Sequence, residues 1–582
     1  MNQRWSVVLV SSFLCVFLQI CSAEETERNK TWWQQSIFYQ IYPRSFKDSD
    51  GDGVGDLPGI LSKIDYFTYL GAEGIWLSPI YDSPMKDFGY DIRNLTAIDS
   101  LFGTMDDFKD LLKAFDSRGL KLIMDFVPNH SSNESIWFEK SRLREDPYTD
   151  YYVWVDGKGP NGTEPPNNWM AMFGGSAWEW CPMRKQFYYH QFLVEQPDFN
   201  MRNPLVREEL KNAFRFWLEL GVSGFRVDAV KHLFEDPLLR DEPPSHIFGA
   251  KPDEYIYLSH IYTTSYPEIF DVVGEWRQVF DEFEAKDGFH RVMMVEINET
   301  IPNTVAYYGN ATDPLGDMPF NFELFKITNQ STARDIHKLI ADWLDGVPVD
   351  KWPNWVIGNH DQHRIANRTD VELVDAFNII NLLLKGTPVV YYGEELGMVD
   401  TDVSWEDAQD PFGLWFGPER FKNFSRDPER TPMQWNGLKF SGFTEGPKPW
   451  LPVNPNYPCV NVEFEKDNSS HLSVFRDLVS LRKTPTFLHG DVLYPIVSTN
   501  ILSFVRALEP SPAAYIALIN FGIVTEIVDL VTESNLTAFK FPAKGIIEVV
   551  STNFPGVKGQ VDLDSLTIGP KQAIVIQFEP VW

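Results

Sequence analysis

Four short segments each end an apolar, strand-like run in carboxylates, histidine or arginine. They are LIMDFVPNH (Leu122 to His130), GFRVDAVKH (Gly224 to His232), VMMVEINET (Val292 to Thr300) and VIGNHDQHR (Val356 to Arg364). A charged group following a buried strand is a poor core residue. It suits the mouth of an α/β barrel, where side chains from several strand ends converge on one ligand. Asp228, Glu296 and Asp361 stand at such ends. Cleaving a glycosidic bond with retention takes a carboxylate nucleophile and a protonated carboxylic acid about 5–5.5 Å apart. Asp228 and Glu296, on adjacent strands, suit that pairing, and Asp361 would stabilise a positively charged, sugar-like transition state. Arg226 precedes Asp228 by two residues, so both point the same way. The expectation is that this cation holds the Asp228 carboxyl low while burial raises that of Glu296. His130 and His360 are donors suited to sugar hydroxyls.

Two further motifs carry polar chemistry. Asp48, Asp50, Asp52, Val54 and Asp56 alternate with serine and glycines after the first strand. Oxygen ligands at that spacing wrap a hard cation, Ca²⁺ or else Mg²⁺. The twelfth position is Gly59 instead of glutamate, so this is no EF-hand; a solvated acidic turn is the alternative. In Met85 to Asp91, the Tyr90 ring would stack on a sugar and Asp87 would accept hydroxyl protons, or Tyr90 is a buried turn residue.

Eight apolar runs must position these groups: Ile37–Tyr42, Gly74–Pro79, Leu120–Val127, Gly224–Val227, Val292–Glu296, Met318–Phe322, Trp355–Gly358 and Pro388–Tyr392. Amphipathic helices, such as Asp106–Ser117 and Leu205–Leu220, lie between them. The alternation predicts an α/β fold, a (β/α)₈ TIM barrel over 24–129 and 201–490. Residues 130–200 form a small inserted unit over the barrel mouth, and a second long insertion, Val399 to Trp450, follows the eighth strand. Past the helix at Leu472–Arg482, alternating strands predict an antiparallel sandwich over 491–582.

The formal charge of −31 argues against nucleic-acid or anionic-membrane partners and for a neutral substrate. Residues 1–23 read as a signal peptide, with Arg4, an apolar run over Val7 to Ile20 and small residues after Cys21. No other segment is apolar enough to span a membrane, and the C-terminus lacks a lipid-anchor tail. The expected location is therefore extracellular. Sequons occur at Asn29, Asn94, Asn133, Asn161, Asn298, Asn310, Asn329, Asn367, Asn423, Asn468 and Asn535. Asn129 also fits but lies within a strand-end segment, where modification is not expected. Once the signal is removed, Cys181 and Cys459 remain and are free to pair in an oxidising compartment.

With DFVPNH, GFRVDAV, NHDQHR, RTPMQW (Arg430 to Trp435) and QPDFN (Gln196 to Asn200) in hand, the chain resembles the α-amylase family of glycoside hydrolases. More narrowly it resembles the secreted insect maltases and bacterial oligo-1,6-glucosidases of that family. The resemblance implies that Asp228 is the nucleophile, Glu296 the acid/base and Asp361 the transition-state carboxylate. It implies that Asp87, Tyr90, His130, Arg226, His360 and Arg426 hold the non-reducing glucose, with Asp87 and Arg426 closing the pocket behind it. Ala229 matches the α-1,4 pattern, where α-1,6 enzymes place valine. Ile297-Asn298-Glu299, Gln362, Lys231 and His232 depart from the usual glucosidase pattern, which bears on the leaving-group side. The rival reading is a catalytically idle relative, a transporter heavy chain or a surface receptor.

Overall fold

The computed structural model describes residues 31–582. The expected signal segment and the sequon at Asn29 lie outside those residues. Eight parallel strands make one sheet: β1 (Phe38–Ile41), β2 (Gly74–Leu77), β3 (Lys121–Phe126), β4 (Gly224–Val227), β5 (Val292–Val295), β6 (Met318–Pro319), β7 (Asn354–Val356) and β8 (Thr387–Tyr391). Backbone ladders run from β6 through β5, β4, β3, β2, β1 and β8 to β7. The ring therefore lacks one ladder, between β6 and β7. Side chains bridge that seam: Asn321 N–H and Nδ2 donate to Asn354 Oδ1 and O at 2.9 and 3.1 Å, and Asn354 Nδ2 donates to the Pro319 carbonyl at 2.7 Å. The expected strand Met318–Phe322 is shortened to two residues. Pro319 has no N–H to give a ladder, and the asparagine pair takes over.

Alternation along each strand sorts the side chains. Phe38, Trp76, Ile123, Val292, Met294, Met318, Val356 and Val389 pack together inside the barrel. Tyr39, Ile75, Leu122, Met124, Phe225, Val227, Met293 and Val295 join the larger core under the helices. The helix Pro204–Leu220 shows how that outer layer is specified. Asn203 caps it by accepting from Leu205 N–H, Pro204 starts it, and Gly221 ends it at φ +107°. Its Phe214 stacks on Phe126 of β3 at 3.8 Å, and its Trp217 meets Phe108 edge-on at 5.0 Å. Each buried ring contributes about 2–3 kcal/mol.

Between β3 and β4, a three-stranded antiparallel sheet (Trp154–Val155, Trp178–Cys181, Gln186–Tyr189) surrounds a cluster of Trp169, Trp178 and Tyr189. The C-terminal sheet has six antiparallel strands, including Ile501–Ala507, Ala514–Asn520, Lys544–Val550 and Ala573–Phe578, with a two-stranded sheet beside it. Cys181 is buried, Cys459 is exposed, and they do not pair. Among the described residues no helix is long and apolar enough to cross a membrane.

Candidate active site

Strand register assembles the centre. Parallel pairing sets Asp125 of β3 opposite Arg226 of β4, and Arg226 opposite Met294 of β5. Two residues further along, the same inward rows end in Asp228 and Glu296. Asp228 N–H still donates to Phe126 O at 2.8 Å, and Glu296 N–H to Val227 O at 2.9 Å, so both acids are held by the last rungs of the barrel.

The Arg226 guanidinium, 1% exposed, lies beneath them and is shared three ways. Its Nη1 donates to Asp125 Oδ1 at 2.8 Å and to Asp228 Oδ1, and its Nη2 lies 3.0 Å from Glu296 Oε2. Glu296 Oε2 also accepts the Ala229 N–H at 2.8 Å. Ala229 adopts φ +50°, a left-handed conformation that turns its amide toward Glu296. Burial raises the Asp228 carboxyl well above the ordinary carboxylate range; Arg226 opposes this, and the Glu296 and Asp125 charges add to it. Asp125 is likewise raised, to about 6, by burial against the pull of Arg226. The expectation that Arg226 holds Asp228 low is thus corrected: one cation divided among three carboxylates does not offset the burial of Asp228. Crowded carboxylates of this kind favour proton uptake at Asp228 and Asp125.

Asp361, on the loop after β7, has the opposite surroundings. Its Oδ1 accepts from Arg426 Nη1 at 3.1 Å and Arg430 Nη2 at 2.7 Å, and its Oδ2 lies 3.2 Å from His360 Nε2. Burial opposes ionisation, but His360, Arg430 and Arg426 outweigh it and hold the carboxyl well below its usual range. His360 itself is pushed down to about 3 by burial, and so is neutral. Its ring stacks between Tyr90 (5.4 Å) and Tyr42 (5.7 Å), and its Nε2 meets the Tyr90 hydroxyl at 2.7 Å. One face of Tyr90 is therefore taken by His360, and its hydroxyl also donates to Asp125 at 3.1 Å. His130, lowered to about 4 by burial, lies 3.1 Å from Gln196 Nε2.

Asp87 is presented by a tight turn. Buried Asp91 accepts the N–H groups of Lys86 and Asp87, while Met85, Phe88 and Gly89 all have positive φ. A Cβ on Gly89 would come within 2.9 Å of the Pro79 carbonyl. Strain of this kind clusters at functional sites. Asp87 Oδ1 then accepts from Arg426 Nη2 at 3.0 Å and Oδ2 from Gln196 Nε2 at 3.1 Å. The Asp87–Arg426 bridge joins the loop after β2 to the insertion after β8.

A cavity of about 410 Å³ gathers Asp228, Glu296, Asp361, Asp87, Tyr90, His130, His360 and Arg426, within the usual range for small-molecule sites. Of the residues expected to hold the sugar, only Arg226 lies outside the lining, beneath the two acids. Phe173 and Phe192 from the inserted unit, and Phe412 and Phe424 from the insertion after β8, form an apolar collar. Sequence reasoning missed Asp125, Asp410, Arg430 as an ion-pair partner, and this collar. Asp125 was findable as a charge inside an apolar run. Asp410, which accepts from Arg426 Nη2 at 2.7 Å, carries no motif.

The acidic loop expected to hold a cation, Asp48 to Asp56, lies apart from the cavity. Asp48, Asp50 and Asp56 bring three carboxylate oxygens within 4.8 Å of one another, a hard-oxygen set that fits Ca²⁺. Asp52 is outside that trio; its Oδ1 accepts Val54 N–H at 2.7 Å.

Residues 40–490 match the family model described as alpha amylase, catalytic domain. The chain is 42% identical to the salivary alpha-glucosidase of Aedes aegypti over 557 residues, 94% of this chain and 95% of that protein. It is 38% identical to an amino acid transporter heavy chain of Rattus norvegicus, over 98% of this chain and 82% of that one. Among solved structures, the alpha-glucosyl transfer enzyme XgtA matches at TM-score 0.82 and 34% identity, covering 94% of this chain and 99% of that one.

Proposed function

We propose that this chain, which belongs to the α-amylase family of glycoside hydrolases, is a secreted, exo-acting, retaining α-glucosidase. Its substrates are maltose, sucrose and short malto-oligosaccharides. The observation that carries this reading is the Asp228–Glu296 pair over a shared guanidinium, with a full set of partners around Asp361.

In the proposed reaction, the Asp228 carboxylate attacks the anomeric carbon from the β face. Glu296 gives its proton to the glycosidic oxygen, so the C–O bond breaks and the aglycone leaves as an alcohol. The resulting β-glucosyl ester on Asp228 is then attacked by water. Glu296 removes the water proton, and α-glucose leaves with Asp228 regenerated. A second sugar in place of water gives transglycosylation, the reaction class named for XgtA. Asp361, held as an anion, stabilises the oxocarbenium character of both transition states. The Asp87–Arg426 bridge supports a closed end that admits one non-reducing glucose. Asp48, Asp50 and Asp56, with Asp52 and the Val54 carbonyl, would hold one structural Ca²⁺ that fixes the loop after β1.

The similarity to a transporter heavy chain keeps an idle relative as the second reading. Glucose release from maltose by the purified protein separates the two. Time-resolved NMR should show α-glucose first; β-glucose as the initial product would exclude double displacement.

A further inference from the structure

Two sequons open onto the cavity mouth. Asn298-Glu299-Thr300 lies two residues beyond Glu296, and Asn423-Phe424-Ser425 lies three residues before Arg426. Both asparagines line the cavity and both are exposed. They stand on different loops, one after β5 and one in the insertion after β8. Among the described residues neither side-chain amide has a hydrogen-bond partner, so neither has a structural task that would exclude modification. Asn298 is held only through its backbone, whose carbonyl accepts Lys231 Nζ at 3.0 Å. Thr300 precedes the short helix Ile301–Ala306 without capping it through its side chain. The contrast with Asn129 is direct. That sequon asparagine is 1% exposed and its amide donates to Asp198 Oδ2 at 2.8 Å.

We propose that Asn298 and Asn423 carry N-linked glycans that fence the cavity mouth and restrict this enzyme to short oligosaccharides. The inference rests on the secreted α-glucosidase reading and deepens it. A core N-glycan is a bulky, solvated oligosaccharide, larger than a disaccharide substrate. Anchored at the rim, it sweeps the volume that the reducing-end units of a long malto-oligosaccharide must cross. Maltose needs only the cavity itself. Exclusion is then steric and falls on substrates by length, not by linkage.

The test uses the full chain secreted from cultured insect cells. Glycopeptide mass spectrometry should find both asparagines occupied. Native enzyme trimmed with endoglycosidase, and the variant Thr300→Val, which removes one sequon while keeping Asn298, are then compared on maltose and maltoheptaose. The expected result is a several-fold rise in kcat/KM for maltoheptaose relative to maltose after trimming, and a smaller rise for Thr300→Val. Unmodified Asn298 and Asn423 peptides, or full occupancy with an unchanged length ratio, would overturn the proposal. Absence of maltose hydrolysis in every form would instead fault the α-glucosidase reading.

Discussion

Asp361 has two guanidiniums beside it, whereas Asp125, Asp228 and Glu296 share one. The two clusters face the same cavity and burial opposes ionisation in both, yet the net shifts run in opposite directions. Around Asp361 two guanidiniums serve three carboxylates, Asp361, Asp87 and Asp410, and the Asp361 carboxyl is held well below its usual range. Around Arg226 one guanidinium serves three carboxylates, and the Asp228 and Asp125 carboxyls are raised. A retaining hydrolase needs both: one permanent anion to face the oxocarbenium ion, and one mobile proton to give and take back. The lesson is that the ratio of cations to carboxylates, not the presence of a cation, sets which acids titrate.

The hardest blow to this division of labour is Asp228→Asn. It should cut kcat on maltose by about 10⁴-fold or more while calorimetry still detects maltose binding; near-normal turnover would mean that another group is the nucleophile. Next is Glu296→Gln, with an expected loss of about 10²–10⁴-fold on maltose. A nitrophenyl α-glucoside, whose leaving group needs no proton, should lose far less in the first chemical step, read as a burst. Equal loss on both would remove the proton from Glu296.

Ala229→Val combines two effects. A β-branched residue at φ +50° is strained by roughly 1–2 kcal/mol, and the added methyl groups enter the cavity. We expect kcat/KM for maltose to fall about tenfold more than for isomaltose, together with a lower melting temperature. Equal loss on both sugars would trace the effect to the Ala229 N–H that Glu296 accepts.

Asp125→Asn sharpens the comparison by removing one negative charge from the crowded cluster. The acid limb of the kcat/KM profile, where Asp228 must ionise, should move to lower pH by roughly half a unit to one unit. The stability sign follows from Asp125 standing at about 6 in the folded protein, above an unfolded value of about 3.9. A raised group of this kind stabilises at low pH, and the contribution is lost as pH rises through 6. The variant should therefore lose less melting temperature than the parent between about pH 4 and pH 6. An unmoved acid limb would sever Asp125 from the titration of Asp228. The smallest kinetic effect belongs to metal removal. Chelation should lower the melting temperature by mass action and leave the initial rate of the folded enzyme unchanged. Immediate, reversible loss of rate without unfolding would place the cation in the chemistry.

The eight strands and the three acids were legible because apolar runs of strand length each end in the residue type that a barrel mouth uses. Asp87, Tyr90, His130 and His360 were read from their own segments and Arg426 from the family resemblance, and the cavity gathers all five. The protonation pattern was not legible, since it depends on how many carboxylates reach Arg226, a three-strand register property. Asp125 looked like one more residue of a strand. The left-handed turn at Ala229 was hidden because nothing in an alanine announces positive φ. The aromatic collar was hidden because its four phenylalanines come from two insertions with no periodic pattern.

The asparagine clasp between β6 and β7 gives the barrel a definite place to come apart. Seven ladders unite the ring into one continuous sheet, while the eighth junction hangs on side-chain amides. Warming or denaturant would unzip that junction first, turning a closed cylinder into an open, curled sheet with most of its amide protons still protected from exchange. Glu296 follows β5 and Asp361 follows β7, on opposite sides of the opening, so it would part them early. Enzymatic rate should then vanish at a lower temperature than the helical circular dichroism signal, making activity the finer thermometer of the barrel's integrity.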